Sequence, residues 1–282
     1  MGRQRGRLLG VALMICAVAG VTGCATGDPR RTQVAPPTTA EPVSSTPATT
    51  AAADEDFIAR ASRVRVFFGH MSVGENILSG VGALSADRTA GSPHVVSFPL
   101  DGPLPEVPQT GALVHTGIGD NGDPLGKLAN FDRLLRSGLG EHVEVAVLKF
   151  CYIDINAGTD VDALARAYRT TLDKLERDYP QVTFLHSTAP LMVAPSGLKG
   201  TVKSWLGKDD NVARERYSAL VRDAYPADRL FDIAAIEGTD PDGTRQPALY
   251  AGYTTDGGHL NEAGSALVAD EFLRLIADQA QD

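Results

Sequence analysis

Short apolar segments alternate with amphipathic segments along most of the chain. Residues 64–68 have the composition of a buried strand, and 72–84 then carries apolar residues at helical spacing, at Ile77, Leu78 and Val81. Further strands are predicted over 94–98, 143–150, 182–185 and 230–233, and further helices over 125–139, 161–179, 211–225 and 261–277. Strands that alternate with helices predict an α/β fold, a three-layer α/β/α sandwich with a mainly parallel sheet.

One long connection lacks any such pattern. Residues 103–122 are rich in Gly and Pro and show no periodicity, so a loop is predicted there. The whole connection, 101–126, is long enough to serve as a lid or a specificity surface.

The N-terminus has the features of an export signal. Arg3, Arg5 and Arg7 precede an apolar run over 8–21 that is too short to span a bilayer comfortably. The run ends in Val-Thr-Gly-Cys24, which resembles a bacterial lipobox. We therefore predict a lipoprotein signal peptide over 1–23 and a lipid anchor on Cys24, which would hold the protein on the extracytoplasmic face of the cell membrane. An ordinary secretory signal and an uncleaved anchor are the alternatives.

A tether and a folded domain are predicted to follow. Residues 24–55 are rich in Pro, Thr, Ser and Ala, with almost no large apolar side chains. Such a segment cannot bury enough surface to offset the entropy of ordering. The folded domain is expected over 56–282.

Composition narrows the function further. Lys and Arg number 26 against 35 Asp and Glu, so the net charge is −9, and an acidic chain repels phosphate backbones. We predict no nucleic-acid partner.

Cys16 lies in the predicted signal and Cys24 would carry lipid, so Cys151 has no partner for an internal disulfide or a three-cysteine zinc site. No paired metal-ligand motif is present, so no metal and no cofactor are predicted.

Three polar residues lie where a parallel sheet usually carries its chemistry, at the carboxyl ends of strands. Ser72 follows the first predicted strand at a strand-to-helix turn, where the helix start offers N–H groups to an oxyanion. Asp256 and His259 enclose two glycines before the last helix, so the Asp can accept from one ring nitrogen and leave the other free as a base. The simpler explanations are an N-cap serine, and a helix cap with a surface histidine.

This combination resembles the SGNH/GDSL hydrolase family. The family's C-terminal block, Asp-x-x-His with a following apolar residue, Asn or Thr, and Ala-Gly, is matched by Asp256, His259, Leu260, Asn261, Ala263 and Gly264. Residues 186–191 and 231–234 resemble its Thr-x-Pro turn and its late strand. The resemblance covers 63–280. It implies a flavodoxin-like sandwich, a Ser72–His259–Asp256 triad and ester hydrolysis.

Two blocks depart from the family pattern. The first reads Gly69-His70-Met71-Ser72 in place of Gly-Asp-Ser, and the third has Ile153 where an Asn donor to the oxyanion is expected. A missing donor lowers the rate about 10²–10³-fold. The backbone N–H of Ser72, the N–H of Gly74 and the amide of Asn121 are the predicted substitutes.

Four neighbouring residues have open roles. His70 and Asp154 are candidate pocket residues, although a packed structural histidine fits His70 equally well. Lys149 is expected to be neutralised by Asp154 or Asp123. Cys151 is either a small buried hydrophobe or a thiol nucleophile with His259 as its base.

The predicted function is a serine ester hydrolase acting on O-acyl esters, acetyl esters included, of envelope polysaccharides or lipids. Two alternatives stay open. An O-acyltransferase would use the same triad to move an acyl group to a glycan. A non-catalytic surface module would have the SGNH scaffold without its activity. The absence of the Asn donor at Ile153 favours this alternative, and the presence of Asp256 and His259 argues against it.

Overall fold

The computed structural model describes residues 57–195 and 209–280, and the predictions on 1–23, Cys24 and 24–55 lie outside these residues. Six strands in the described residues form one sheet in which every pairing is parallel. They are β1 (Arg65–His70), β2 (Val95–Ser97), β3 (Ala112–Gly117), β4 (Val145–Leu148), β5 (Thr183–Ser187) and β6 (Leu230–Phe231). The order across the sheet is β2-β3-β1-β4-β5-β6.

Helices cover both faces of the sheet. They are α1 (Val73–Ser85), α2 (Pro124–Arg136), α3 (Val161–Asp178), α4 (Asp210–Ala224), α5 (Ile233–Gly238) and α6 (Glu262–Ala277). The predicted three-layer α/β/α sandwich is confirmed. If the three-residue edge strand β2 is set aside, the order β3-β1-β4-β5-β6 is that of flavodoxin-like sheets.

In the part of the chain that the structure describes, the core consists of two apolar clusters, one on each face of the sheet. Phe68 and Val147 point toward α1 and α6, whereas Phe67, Ala146 and Leu148 point toward α2, α3 and α4. Successive strand residues therefore face opposite layers, as the two-residue period of a strand requires. Within 57–195 and 209–280, no helix is both long and apolar enough to cross a membrane.

The predicted loop over 103–122 is wrong at its centre, because β3 lies there. This strand pairs with β1 from Arg65–Ala112 to His70–Gly117. Its apolar part is short, and the buried polar residues His115 and Thr116 follow, so neither alternation nor a long apolar run marks it. The connection is accordingly not a free lid, since its middle is part of the sheet.

The predicted strand over 230–233 is also wrong in part. β6 ends at Phe231, and Asp232 then acts as the N-cap of α5 by accepting a hydrogen bond from the Ala235 N–H at 3.1 Å. Arg222 on α4 donates to the same carboxylate at 2.7 and 2.8 Å. The apolar residue Ile233, which the sequence pattern assigns to the strand, therefore begins a helix, because Asp232 caps that helix.

The packing of α1 against α6 determines where the functional side chains meet. Near the two helix starts, the Leu260 N–H donates to Oδ1 of Asn76 at 3.1 Å. Further along, a Cβ on Gly80 would lie 2.2 Å from the Ser265 carbonyl oxygen and 2.7 Å from Cβ of Ala269. These contacts advance in the same direction along both helices, so α1 and α6 run parallel and their N-terminal ends lie side by side.

Candidate active site

Ser72 occupies a strained turn between β1 and α1. Among the described residues it is the one non-glycine residue with a positive φ, at φ 23° and ψ −77°. It holds the N-cap position, yet its side chain makes no capping hydrogen bond, and its hydroxyl lies 3.2 Å from Sγ of Cys151. An N-cap serine therefore does not explain this residue. Backbone strain of this kind is concentrated at functional sites.

Asp256 and His259 form the pair that their spacing predicts. Nδ1 of His259 lies 2.6 Å from Oδ2 of Asp256, while Oδ1 accepts from the N–H groups of Gly258 at 2.9 Å and His259 at 2.8 Å. The Gly258 N–H, then the His259 ring and N–H, hold the pKa of Asp256 well below its usual range. Nε2 of His259 makes no hydrogen bond with a described residue, so it is available to accept a proton.

Two contacts connect this pair to the Ser72 region. The Leu260 N–H, next to His259, donates to Asn76 in the first part of α1. The ring of Tyr152, which follows Cys151, packs edge-on against the His259 ring with centroids 5.6 Å apart. Ser72 and His259 share no direct hydrogen bond in the described residues. Catalytic hydrogen bonds are often long without substrate and tighten in the reactive complex.

A buried lysine supports the turn before Ser72. Lys149, at the end of β4, is completely buried and donates from Nζ to the Met71 carbonyl at 3.0 Å. Burial lowers its pKa to about 8. Within the described residues neither Asp154 nor Asp123 forms the expected salt bridge with Lys149, although the charge of Asp154 raises the Lys149 pKa. Asp154 is paired with another lysine, and the Asp123 carboxylate accepts from the Gly126 N–H at the start of α2.

Asp154 has a structural role beneath the site. Nζ of Lys127 donates to its two oxygens at 2.7 and 2.8 Å, and both side chains are fully buried. The N–H groups of Cys151, at 2.6 Å, and Gly122, at 2.8 Å, donate to the same carboxylate. Asp154 therefore joins the loops after β3 and β4. Its carboxylate oxygens are occupied by these bonds, so Asp154 does not act as the pocket residue that the sequence predicts.

The predicted oxyanion donors differ in availability. The Gly74 N–H donates to the Met71 carbonyl at 2.8 Å, so it is already engaged. Gly74 has another reason to lack a side chain, because a Cβ there would lie 2.3 Å from the His70 ring. Oδ1 of Asn121 accepts from Lys127 at 3.1 Å, while its amide nitrogen donates to no described residue. The oxyanion role of Asn121 stays a prediction.

Free backbone donors lie at the start of α1. The N–H groups of Ser72 and Val73 donate to no other described residue, as is usual for the first positions of a helix. The predicted Ser72 N–H is thus available, and Val73 is a donor that the sequence did not single out. The side chain of Ile153, in the place of the expected Asn, is largely exposed and offers no donor.

His70 is a packed histidine and does not face the solvent. Its ring is fully buried, stacks on Phe68 with centroids 4.6 Å apart, and places Nε2 3.0 Å from Nδ1 of His115. Burial above all, then the neighbouring Lys149 and His115, lower its pKa to about 3. The sequence gives no local signal for His115, because this residue belongs to β3, in the stretch predicted as a loop. Only the pairing of β1 with β3 brings the two rings together.

Comparison with known proteins gives two similar solved structures but no family. No protein-family model matches the chain, and no curated protein matches it. The chain is similar to a solved structure from Desulfitobacterium hafniense DCB-2, described as a lipolytic protein of the G-D-S-L family, at 12% identity and a TM-score of 0.42, covering 75% of this chain and 99% of that one. It is also similar to a protein from Streptococcus pneumonia described as a platelet activating factor, at 16% identity and a TM-score of 0.37, covering 80% and 98%.

Proposed function

We propose that the protein is a serine ester hydrolase in which Ser72 is the nucleophile, His259 the general base and Asp256 the residue that orients the base. The observation that carries this proposal is the parallel packing of α1 and α6. This packing brings Ser72, at the start of α1, to the same end of the helix pair as Asp256 and His259, which precede α6.

The proposed reaction follows the chemistry of these groups. Nε2 of His259 removes the proton from Oγ of Ser72 as that oxygen attacks the ester carbonyl carbon. The N–H groups of Ser72 and Val73 stabilise the oxyanion. Its collapse breaks the ester C–O bond, and the alcohol leaves with the proton from His259. Water, activated by the same imidazole, then releases the acid and restores Ser72.

The half-exposed position of Asp256 and His259 supports hydrolysis over acyl transfer, because water reaches the base freely. We propose O-acyl esters, acetyl esters among them, as the substrate class. The proposed setting is the cell envelope, with a lipid on Cys24 as the membrane anchor. A Cys24→Ser variant tests the anchor. It should lose both labelling by a radioactive fatty acid and partition into the membrane fraction, and retention of both would contradict it.

The catalytic proposal is tested with nitrophenyl esters from acetyl to octanoyl and the full-length chain. Ser72→Ala should lower kcat at least about 10³-fold. Ser79→Ala, at an exposed serine on the same helix, is the matched control and should keep full turnover. Turnover that survives Ser72→Ala would refute the mechanism, and loss in Cys151→Ala would then identify the thiol as the nucleophile. A folded protein with no turnover would instead point to the acyltransferase, detected by acyl transfer to a glycan acceptor, or to the non-catalytic module.

A further inference from the structure

Two histidines and a glutamate from three different elements meet beside Ser72. His70 ends β1, His115 lies on the neighbouring strand β3, and Glu75 is in the first turn of α1. Nε2 of His70 lies 3.0 Å from Nδ1 of His115 and 3.9 Å from Oε1 of Glu75. One ligand atom from each of the three side chains lies within 4.8 Å of the other two.

These separations suit a tetrahedral metal ion. Zinc binds imidazole nitrogen and carboxylate oxygen at about 2.0–2.2 Å, which places two ligand atoms roughly 3.3 Å apart at the tetrahedral angle. The 3.0 Å and 3.9 Å separations are within a small side-chain adjustment of that value. Glu75 supplies the negative charge and the flexible arm, since its side chain is 64% exposed, whereas strand pairing holds the two rings.

The remaining nitrogen of His70 fits the same arrangement. Nδ1 is buried, and it has no hydrogen-bond partner among the described residues. A metal ion on Nε2 leaves the ring proton on Nδ1, so the protonation state of both ring nitrogens is then defined.

We propose that His70, His115 and Glu75 form a binding site for one divalent transition-metal ion, Zn²⁺ in the first place, beside the turn that carries Ser72. Three protein ligands leave a fourth position for water. Because His70 precedes Ser72 and Glu75 follows it, the ion links both sides of the strained turn to β3. The expected consequence is a more stable fold with this turn held in place. The site is independent of the proposed esterase activity.

The test uses the full-length chain, purified without a polyhistidine tag and stripped with a chelator. Zn²⁺ is titrated by calorimetry, and Co²⁺ is added as a spectroscopic probe because four-coordinate Co²⁺ absorbs strongly in the visible range. We expect one ion per chain, the four-coordinate Co²⁺ spectrum, and a rise in Tm on addition of Zn²⁺.

Variants locate the ion. His115→Gln should weaken binding more than about 100-fold and Glu75→Gln at least about 10-fold, since even the loss of an outer-shell partner costs 10–100-fold. His142→Gln, at an exposed histidine outside the cluster, should bind as the parent does. His259→Gln should also keep the affinity. If His115→Gln does not fold, Glu75→Gln decides, because its side chain is exposed and its loss does not disturb the core.

Two results would overturn the inference. One is the absence of Zn²⁺ and Co²⁺ binding up to millimolar concentration, which would leave only a hydrogen bond between His70 and His115. The other is binding that is unchanged in Glu75→Gln or is lost in His259→Gln, which would place the ion elsewhere.

Discussion

The close contact between α1 and α6 gives a prediction about both stability and activity. Gly80, in the middle of α1, is buried against α6. A Cβ at this position would lie 2.2 Å from the Ser265 carbonyl oxygen and 2.7 Å from Cβ of Ala269. The substitution Gly80→Ala therefore forces α1 and α6 apart. The obstacle is helix backbone, which cannot rotate away as a flexible side chain can.

The structure sets the size of the effect. An ordinary contact begins at 3.4 Å, so the Ser265 oxygen must retreat by the difference from 2.2 Å, more than 1 Å. Overpacking of this kind costs about 1–3 kcal/mol, and the higher helix propensity of alanine returns up to about 1 kcal/mol. We expect Gly80→Ala to lower the free energy of unfolding by about 1–2 kcal/mol.

The same helix provides a matched control. Gly82 is exposed, and a Cβ there would meet nothing within 4 Å. Gly82→Ala should therefore raise the free energy of unfolding by about 0.5–1 kcal/mol. Urea denaturation of the two variants isolates the contact from the intrinsic preference for alanine. Equal stability of Gly80→Ala and Gly82→Ala would refute the close packing of α1 on α6.

A second readout connects this contact to function. Separation of the two helix starts moves Ser72 away from His259, and a displacement of about 1 Å can cost about 10² in rate. Under the proposed mechanism, Gly80→Ala should lower kcat for nitrophenyl acetate far more than Gly82→Ala at a temperature where both are folded. Unchanged kcat in a destabilised Gly80→Ala would show that the relative position of the two helix starts does not govern the reaction.

Three further predictions follow from single contacts. Lys127→Met leaves the buried Asp154 carboxylate without its cation and should lower the free energy of unfolding by about 3–5 kcal/mol in urea titration; a loss below about 1 kcal/mol would contradict this role. Burial raises the pKa of Glu237 from 4.5 to about 8, so the folded state keeps a proton that the unfolded chain releases, and the contribution of Glu237 to stability should fall between pH 4.5 and 8 by up to about 1.4 kcal/mol per unit. Buried histidines such as His70 add the opposite slope below pH 6.5 in both proteins, so the free energy of unfolding of Glu237→Gln should gain on that of the parent as the pH rises, and equal slopes would contradict the buried, protonated state of Glu237. Asp256→Asn should lower esterase kcat about 10⁴-fold in a protein that is still folded at the assay temperature, because His259 loses the partner that sets its tautomer; full activity would remove Asp256 from the mechanism.

Local sequence determined the features that depend on near neighbours. Helix starts follow from capping side chains that reach only a few residues, as Asp160 does to the Ala163 N–H and Asn261 to the Gly264 N–H. The Asp256–His259 pair belongs to the same class, since its members are three residues apart on one turn. Alternating strands and helices likewise predicted the layers of the sandwich, and the structure confirms them.

Tertiary structure alone decided which distant residues meet. The sequence of β3 has only a weak strand pattern. The segment forms a strand because it pairs with the edge of β1 and because its residues are buried within the sandwich. That pairing brings His115 to His70, and the neighbouring pairing with β4 brings Cys151 to Ser72. Asp154 was the expected partner of Lys149, but the tertiary structure pairs it with Lys127 on α2. Local sequence selects the elements and their ends, while strand register and helix packing join residues that no local pattern relates.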